Sequence, residues 1–86
     1  MQTSQKITTI LLFALAKEKS GRDSIAILLS LPTSVRELKE KMTIEYPNLA
    51  PLIAISRVAV DRSFATDEQT INGEEEIALI PPVSGG

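Results

Sequence analysis

The chain has 86 residues, of which 43% are hydrophobic and 23% charged, and its formal net charge is −2. This length and composition predict one small globular domain. The absence of Cys and His excludes disulfides, thiolate catalysis, the common zinc sites and imidazole acid–base chemistry, and a weak negative charge argues against a nucleic-acid partner.

The first third of the chain predicts two strands. Residues 1–5 are polar, and we expect them to be disordered. Lys6–Leu15 is apolar on both alternating sets of positions, which predicts a strand buried on both faces. Lys17–Asp23 carries charges and a glycine and predicts a turn, and Ser24–Leu31 predicts a second strand that forms a hairpin with the first.

The same N-terminal segment is also typical of a secretory signal. Lys6 precedes the apolar run Ile7–Ala16, which ends in Ala-Leu-Ala, so an exported domain is an alternative. A single lysine is a weak basic region, and cleavage after Ala16 would remove the strongest strand from a small core. We therefore expect a cytoplasmic protein, and no apolar stretch is long enough to predict a membrane span.

A single helix is predicted in the middle of the chain. Ser34 and Glu37 have the spacing of a capping box, in which each side chain accepts a hydrogen bond from the other residue's backbone N–H. Pro47 predicts that the helix stops at Tyr46. The apolar residues between these signals lie on one helical face: Val35, Leu38, Met42 and Tyr46.

The second half of the chain predicts more strands, and the whole is an α+β domain. The predicted segments are a loop at Asn48–Leu52 with a short helical turn as an alternative, an ambiguous Ile53–Ile55, a strand at Arg57–Asp61, a hairpin return and loop at Arg62–Thr70, a turn with positive φ at Gly73, and a last strand at Glu75–Ile80. One helix covers one face of a small sheet. Either a partner covers the second apolar face, or loops cover it and leave scattered apolar residues exposed.

The C-terminal segment Pro81–Gly86 predicts an extended arm that carries chemistry. Proline stiffens the backbone, and glycine enters slots that are too narrow for other residues. A terminal carboxylate becomes reactive when ATP converts it to an acyl adenylate. The chain has no Cys or His with which to activate its own terminus, so a partner must supply the activation.

The string Ala78–Gly86 closely resembles the ending of the small subunit of molybdopterin synthase. Leu12-Phe13-Ala14 resembles that family's first strand, and Ala59-Val60 resembles the pair before its turn. Pro32–Leu38 and Tyr46–Leu49 resemble the start and end of its helix. The resemblance covers about Lys6 to Gly86 and implies the β-grasp, or ubiquitin-like, fold.

The resemblance implies a sulfur carrier that is not an enzyme on its own. An ATP-using enzyme related to ubiquitin-activating enzymes would adenylate Gly86, and sulfur from a donor protein would replace AMP to give a thiocarboxylate. The arm would then enter the synthase large subunit, in a complex of two copies of each chain, and pass sulfur to a pyranopterin precursor. The chain itself is expected to bind no cofactor and no metal, since the activating enzyme uses the ATP.

The resemblance also implies roles for individual residues. Gly86 is the reactive position, and the rest of the arm comprises Pro81, Pro82, Val83, Ser84 and Gly85. Phe13 falls where the family places a partner contact, with core packing as the alternative. Lys17 falls where relatives carry Arg, with a solvated loop lysine as the alternative, and Asp61 stands where relatives have Asn.

Two other functions remain open from the sequence. One is a sulfur carrier for another pathway, such as thiamine synthesis or tRNA thiolation. The other is a ubiquitin-like protein modifier that is joined through Gly86 to target lysines.

Overall fold

A computed structural model describes residues 4–82, within which the chain forms seven strands and three α-helices. The strands are β1 (Ser4–Leu12), β2 (Ser24–Leu31), β3 (Thr33–Ser34), β4 (Arg57–Val60), β5 (Ser63–Phe64), β6 (Thr70–Ile71) and β7 (Ile77–Ile80). The helices are α1 (Ala14–Ser20), α2 (Val35–Glu45) and α3 (Ala50–Ile55), with a 3₁₀ turn at Pro47–Leu49. In this part of the chain, no helix is long and apolar enough to cross a membrane.

The main sheet, as far as the chain is described, has five strands in the order β2-β1-β7-β4-β5. The central strands β1 and β7 are parallel, and the other neighbours are antiparallel. A mixed sheet of this order, with α2 packed across it, is the β-grasp arrangement. The expected α+β, β-grasp fold and the antiparallel pairing of the first two strands are therefore confirmed.

The core lies between the sheet and its helices. Alternate residues of each long strand point to it, because successive strand side chains face opposite sides. Its buried members on the strands and on α2 include Ile10, Leu12, Ile25, Ile27, Leu29, Val35, Leu38, Met42, Val58, Val60, Ile77 and Leu79. This helix-covered face is the source of the hydrophobic stabilisation of the domain.

The capping box that the sequence predicts is present at the start of α2. The backbone N–H of Glu37 donates to Ser34 Oγ at 3.1 Å, and the backbone N–H of Ser34 donates to Glu37 Oε1 at 3.1 Å. The hydrogen bond from Ser34 N–H, helped by the hydroxyls of Thr33 and Ser34, lowers the pKa of Glu37. The helix ends at Glu45, one residue before Tyr46, as Pro47 predicts.

The first strand is shorter than the predicted Lys6–Leu15. It ends at Leu12, and α1 takes up residues that were predicted as strand and turn. Ala14 has a φ of 52° and turns the chain out of the sheet, and the residues after it include strong helix formers. Gly21, with a φ of 72°, closes α1 by donating its N–H to the carbonyl of Lys17 at 2.9 Å.

Two further expectations for this segment are wrong. The strand is not buried on both faces, since Ile7 is 68% exposed and Leu15, now on α1, is 48% exposed. Ser4 and Gln5 are not disordered but pair with β2. The remaining residues of the predicted disordered segment, 1–3, lie outside the described residues.

The second half differs from the prediction in its helices. Helix α3 occupies the predicted loop and ambiguous segment, and Pro51 suits its first turn because proline is pre-organised there. Within the described chain, the two short helices α1 and α3 thus accompany α2, the one main helix that the sequence predicts.

Strand β7 starts at Ile77 rather than Glu75. Glu75 is used in the preceding turn, where its carboxylate accepts the backbone N–H groups of Asn72 and Gly73. The predicted positive φ at Gly73 is confirmed, at 109°.

Candidate functional site: the arm root and the surface beside it

The root of the predicted arm is fixed in the body of the protein. Strand β7 runs between β1 and β4, and its last residue, Ile80, pairs with Arg57 of β4. The Pro81 side chain is fully buried, whereas Pro82 is exposed. Pro81 therefore belongs to the folded body, and the exposed part of the chain begins one residue later than the predicted arm.

The other arm residues are Val83, Ser84, Gly85 and Gly86, and they lie outside the described residues. Their roles, including the reactive carboxylate of Gly86, stay predictions. The structure fixes only the place and the strand from which they depart.

An apolar depression of about 380 Å³ lies on the face of the sheet opposite the helices. We call it the sheet-side surface, and its lining residues are Leu11, Phe13, Ala59, Arg62, Phe64, Glu76, Ala78 and Ile80. Ile80 connects it directly to the arm root. Apolar side chains in a concave surface with a few polar groups at its edge are typical of a docking site for another protein.

Two phenylalanines dominate this surface. Phe13 is 48% exposed at the junction of β1 and α1, and Phe64 on β5 is 55% exposed. The guanidinium of Arg57 lies 4.0 Å from the centre of the Phe64 ring, a cation–π contact that holds the ring in place. Core packing, the alternative for Phe13, is wrong, and its contact with a partner remains a prediction.

The hairpin that presents Phe64 is held by its turn. Asp61 and Arg62 both have positive φ, 51° and 69°, as the favoured two-residue hairpin turn requires. The Asp61 carboxylate accepts the backbone N–H of Glu76 at 2.9 Å, and Arg62 Nε lies 3.4 Å from Glu76 Oε1. Aspartate tolerates the left-handed conformation, so Asp61 suits this position of the turn.

Lys17 is placed away from the sheet-side surface. It lies on α1, and its Nζ is 3.0 Å from Asp23 Oδ1, with both side chains largely exposed. An exposed ion pair of this kind contributes little to stability. The geometry suits the solvated-lysine alternative, except that the residue lies on a helix rather than in a loop, and its partner contact stays a prediction.

Sequence reasoning left out Leu11, Phe64 and Ile80 of the sheet-side surface, and Arg57, whose guanidinium lies over the Phe64 ring. A signal was present for two of them, because the first and last apolar runs were apolar at both sets of positions. Leu11 and Ile80 are the outward-facing residues that produced that pattern. Phe64 gave no such signal, since it stands alone in a polar segment.

Comparisons with known proteins agree with the geometry. A model of the ThiS family matches residues 10–86. The chain is 44% identical over 80 residues to a molybdopterin synthase sulfur carrier subunit of Dictyostelium discoideum, covering 90% of this chain and 93% of that protein. It is 26% identical over 84 residues to the protein of the same name from Arabidopsis thaliana, covering 98% and 88%. The resemblance that the tail predicts is thus confirmed.

Solved structures show the same fold. SAMP1 from Haloferax volcanii superposes with a TM-score of 0.79 at 21% identity, covering 94% of this chain and all of that one. A putative molybdopterin converting factor, subunit 1, from Pyrococcus furiosus superposes with a TM-score of 0.75 at 19% identity, covering 90% and 98%. At this identity, the likeness concerns the ubiquitin-like fold alone.

Proposed function

Because this chain belongs to the ThiS family, we propose that it is the sulfur carrier subunit of a molybdopterin synthase. The observation that carries the proposal is its 44% identity, over nearly its whole length, to a protein of that name. The tail sequence and the exposed apolar surface beside the arm root support it.

The proposed chemistry takes place at the carboxylate of Gly86. A carboxylate oxygen attacks the α-phosphorus of ATP, which forms an acyl adenylate and releases pyrophosphate. Sulfur at the oxidation level of sulfide, supplied by a donor protein, then attacks the acyl carbon and expels AMP, leaving a thiocarboxylate. The catalytic groups and the ATP belong to an adenylating enzyme of the ubiquitin-activating type, and the chain itself holds no metal or cofactor.

The proposed transfer step places the arm in the large subunit of the synthase. Gly85 and Gly86 let the backbone pass through a narrow channel, and the thiocarboxylate gives its sulfur to a pyranopterin precursor to build the dithiolene. The sheet-side surface packs against the large subunit, with Phe13 as its anchor. In the assembled synthase there are two copies of each chain.

The proposed compartment is the cytoplasm. Loss of residues 1–16 would remove β1, which pairs with both β2 and β7, so a cleaved and exported form would lack the middle of its sheet.

A modifier role has less support. A solved structure named small archaeal modifier protein 1, from Haloferax volcanii, shares the fold at 20% identity. At this identity, a shared fold does not indicate a shared function. The ThiS family match leaves room for sulfur carriage in another pathway, but the curated relatives quoted above carry the synthase name.

The terminal carboxylate gives the direct experiment for this proposal. Deleting Gly86, or adding one alanine after it, should abolish molybdopterin formation in a reconstituted synthase without changing the melting temperature. The matched control adds the same alanine at the amino end. Full activity of the extended variant, with mass spectrometry showing that it is not trimmed, would contradict the proposal.

A further inference from the structure

A second apolar groove lies on the helix side of the molecule, between α1 and α3. It has a volume of about 480 Å³, and it is lined by Leu15, Glu18, Lys19, Pro51, Leu52 and Ile55. Leu15 is 48% exposed and Ile55 is 61% exposed. We call this the helix-side groove, and the function proposed above does not use it.

The strand registers place the helix-side groove beside the arm root. In the parallel pair, Leu12 lies opposite Leu79, and α1 begins two residues after Leu12. On the other side of β7, Arg57 lies opposite Ile80, and α3 ends two residues before Arg57. Both helices that line the groove therefore join the sheet at the end from which the arm departs.

The arm is short, and its root is held in place. From Pro82 to Gly86 it has five residues, and an extended chain of that length spans roughly 17 Å. Since Pro81 is buried, the root cannot move outward to extend this reach. A protein that encloses the terminal carboxylate must therefore lie close against this end of the domain.

The contacts assigned so far are few for a stable subunit interface. Such an interface uses about 20 to 30 residues on each side. The sheet-side surface has eight lining residues and the arm has five, so the interface must extend over neighbouring surface. The helix-side groove supplies six more residues at the same end, and four of these are apolar.

We propose that the helix-side groove is a second docking surface for the synthase large subunit, which holds the arm root from both sides. This inference rests on the proposed function. The occupant is an apolar segment of the large subunit, because Leu15, Pro51 and Ile55 offer apolar contacts. Glu18 and Lys19, of opposite charge, give the rim no preference for either sign. The adenylating enzyme, a transient partner, can act through a smaller contact.

The test measures the dissociation constant between the unmodified chain and its cognate large subunit by calorimetry. Leu15→Glu and Ile55→Glu place a charge in the groove, and each should raise the dissociation constant by about tenfold or more. The matched control is Ile44→Glu, at an α2 residue that is 75% exposed and does not line the groove. This control should change the dissociation constant by no more than about twofold.

The outcomes separate this inference from the proposed function. If the unaltered chain binds the large subunit and the groove variants bind as tightly as the Ile44→Glu control, the groove is not a docking surface. The proposed sulfur carrier function would not be affected by that result. Failure of the unaltered chain to bind any large subunit would overturn both. Melting temperatures are measured on every variant, and if Leu15→Glu is unstable, Ile55→Glu decides the result.

Discussion

Leu11 and Leu12 are neighbours on β1, and their side chains lie on opposite faces of the main sheet. Leu12 is 2% exposed and packs under the helices, whereas Leu11 points to the other side and lines the sheet-side surface with Phe13 and Phe64. Both faces are apolar, but within the described chain only the first is covered. Apolar side chains on the helix-covered face therefore stabilise the fold, whereas those of the sheet-side surface are available to a partner.

The two faces differ in whether folding removes water from their apolar side chains. Side chains on the helix-covered face lose their water when the chain folds, at about 25 cal/mol for each Å² of apolar surface buried. Side chains of the sheet-side surface keep much of theirs in the folded chain, since Phe13 is 48% exposed and Phe64 is 55% exposed. A substitution on the first face should therefore change folding, and one on the second should change binding.

The largest expected effect separates the two leucines. Leu12→Ala should lower the free energy of unfolding by about 2–5 kcal/mol, because it leaves a cavity in the core. Leu11→Ala should cost about 1 kcal/mol or less, since its side chain is only partly buried. Urea unfolding of both variants measures the difference, and equal losses would remove the distinction between the faces.

Phe13→Ala tests the open face directly. It should weaken the complex with the large subunit by about 2–4 kcal/mol, the range for an aromatic anchor at an interface. The melting temperature should change little, because the ring is 48% exposed. An unchanged dissociation constant together with a clearly lowered melting temperature would remove Phe13 from the interface.

Ser34→Ala should change stability at a site that lies outside both the core and the sheet-side surface. Loss of the cap at the start of α2 should lower the free energy of unfolding by about 0.5–2 kcal/mol. The affinity for the large subunit should stay the same. Ser34→Asp serves as the control, because aspartate also caps helices and should retain most of the stability. Weaker binding by Ser34→Ala at a temperature where it is fully folded would show that stability and binding are not separable here.

The smallest effect is the pH dependence of the same cap. The pKa of Glu37 is lowered below its ordinary value of 4.5, chiefly by the backbone hydrogen bond from Ser34. Its ionised form therefore adds stability above that value, and the contribution is lost as the pH falls through the lower folded-state pKa. The stability difference between the unaltered chain and Glu37→Gln should shrink as the pH falls below 4.5 and through the lower folded-state pKa. A difference that does not vary with pH would show that the charge of Glu37 has no part in the cap.

The sequence predicts those elements whose signals are local. The capping box and Pro47 define α2, the apolar run Ser24–Leu31 defines β2, and Gly73 marks its turn. The tail string identifies the family because it is long and specific.

Elements that depend on distant packing could not be predicted. Helix α1 replaces the end of an apolar run because Ala14 takes a left-handed conformation. The residues of α1 are good helix formers, but the first of them also end the apolar run that predicts a strand, so the local signals conflict. Which side of β1 is covered depends on where the helices pack, so Leu11 and Leu12 are equivalent in the sequence. Phe64 joins the sheet-side surface only through the pairing of β5 with β4.

The central claim is that Gly86 carries sulfur, and the lack of cysteine in this chain makes it directly testable. The chain is incubated with ATP, the adenylating enzyme and a sulfur donor, treated at neutral pH with a thiol-alkylating reagent, and digested, and the C-terminal peptide is identified by mass spectrometry. We expect one alkyl group on that peptide, with the mass of sulfur in place of one carboxylate oxygen, and none when ATP is omitted. A terminal peptide that stays an unalkylated carboxylate, while an authentic sulfur carrier is labelled under the same conditions, would contradict the claim.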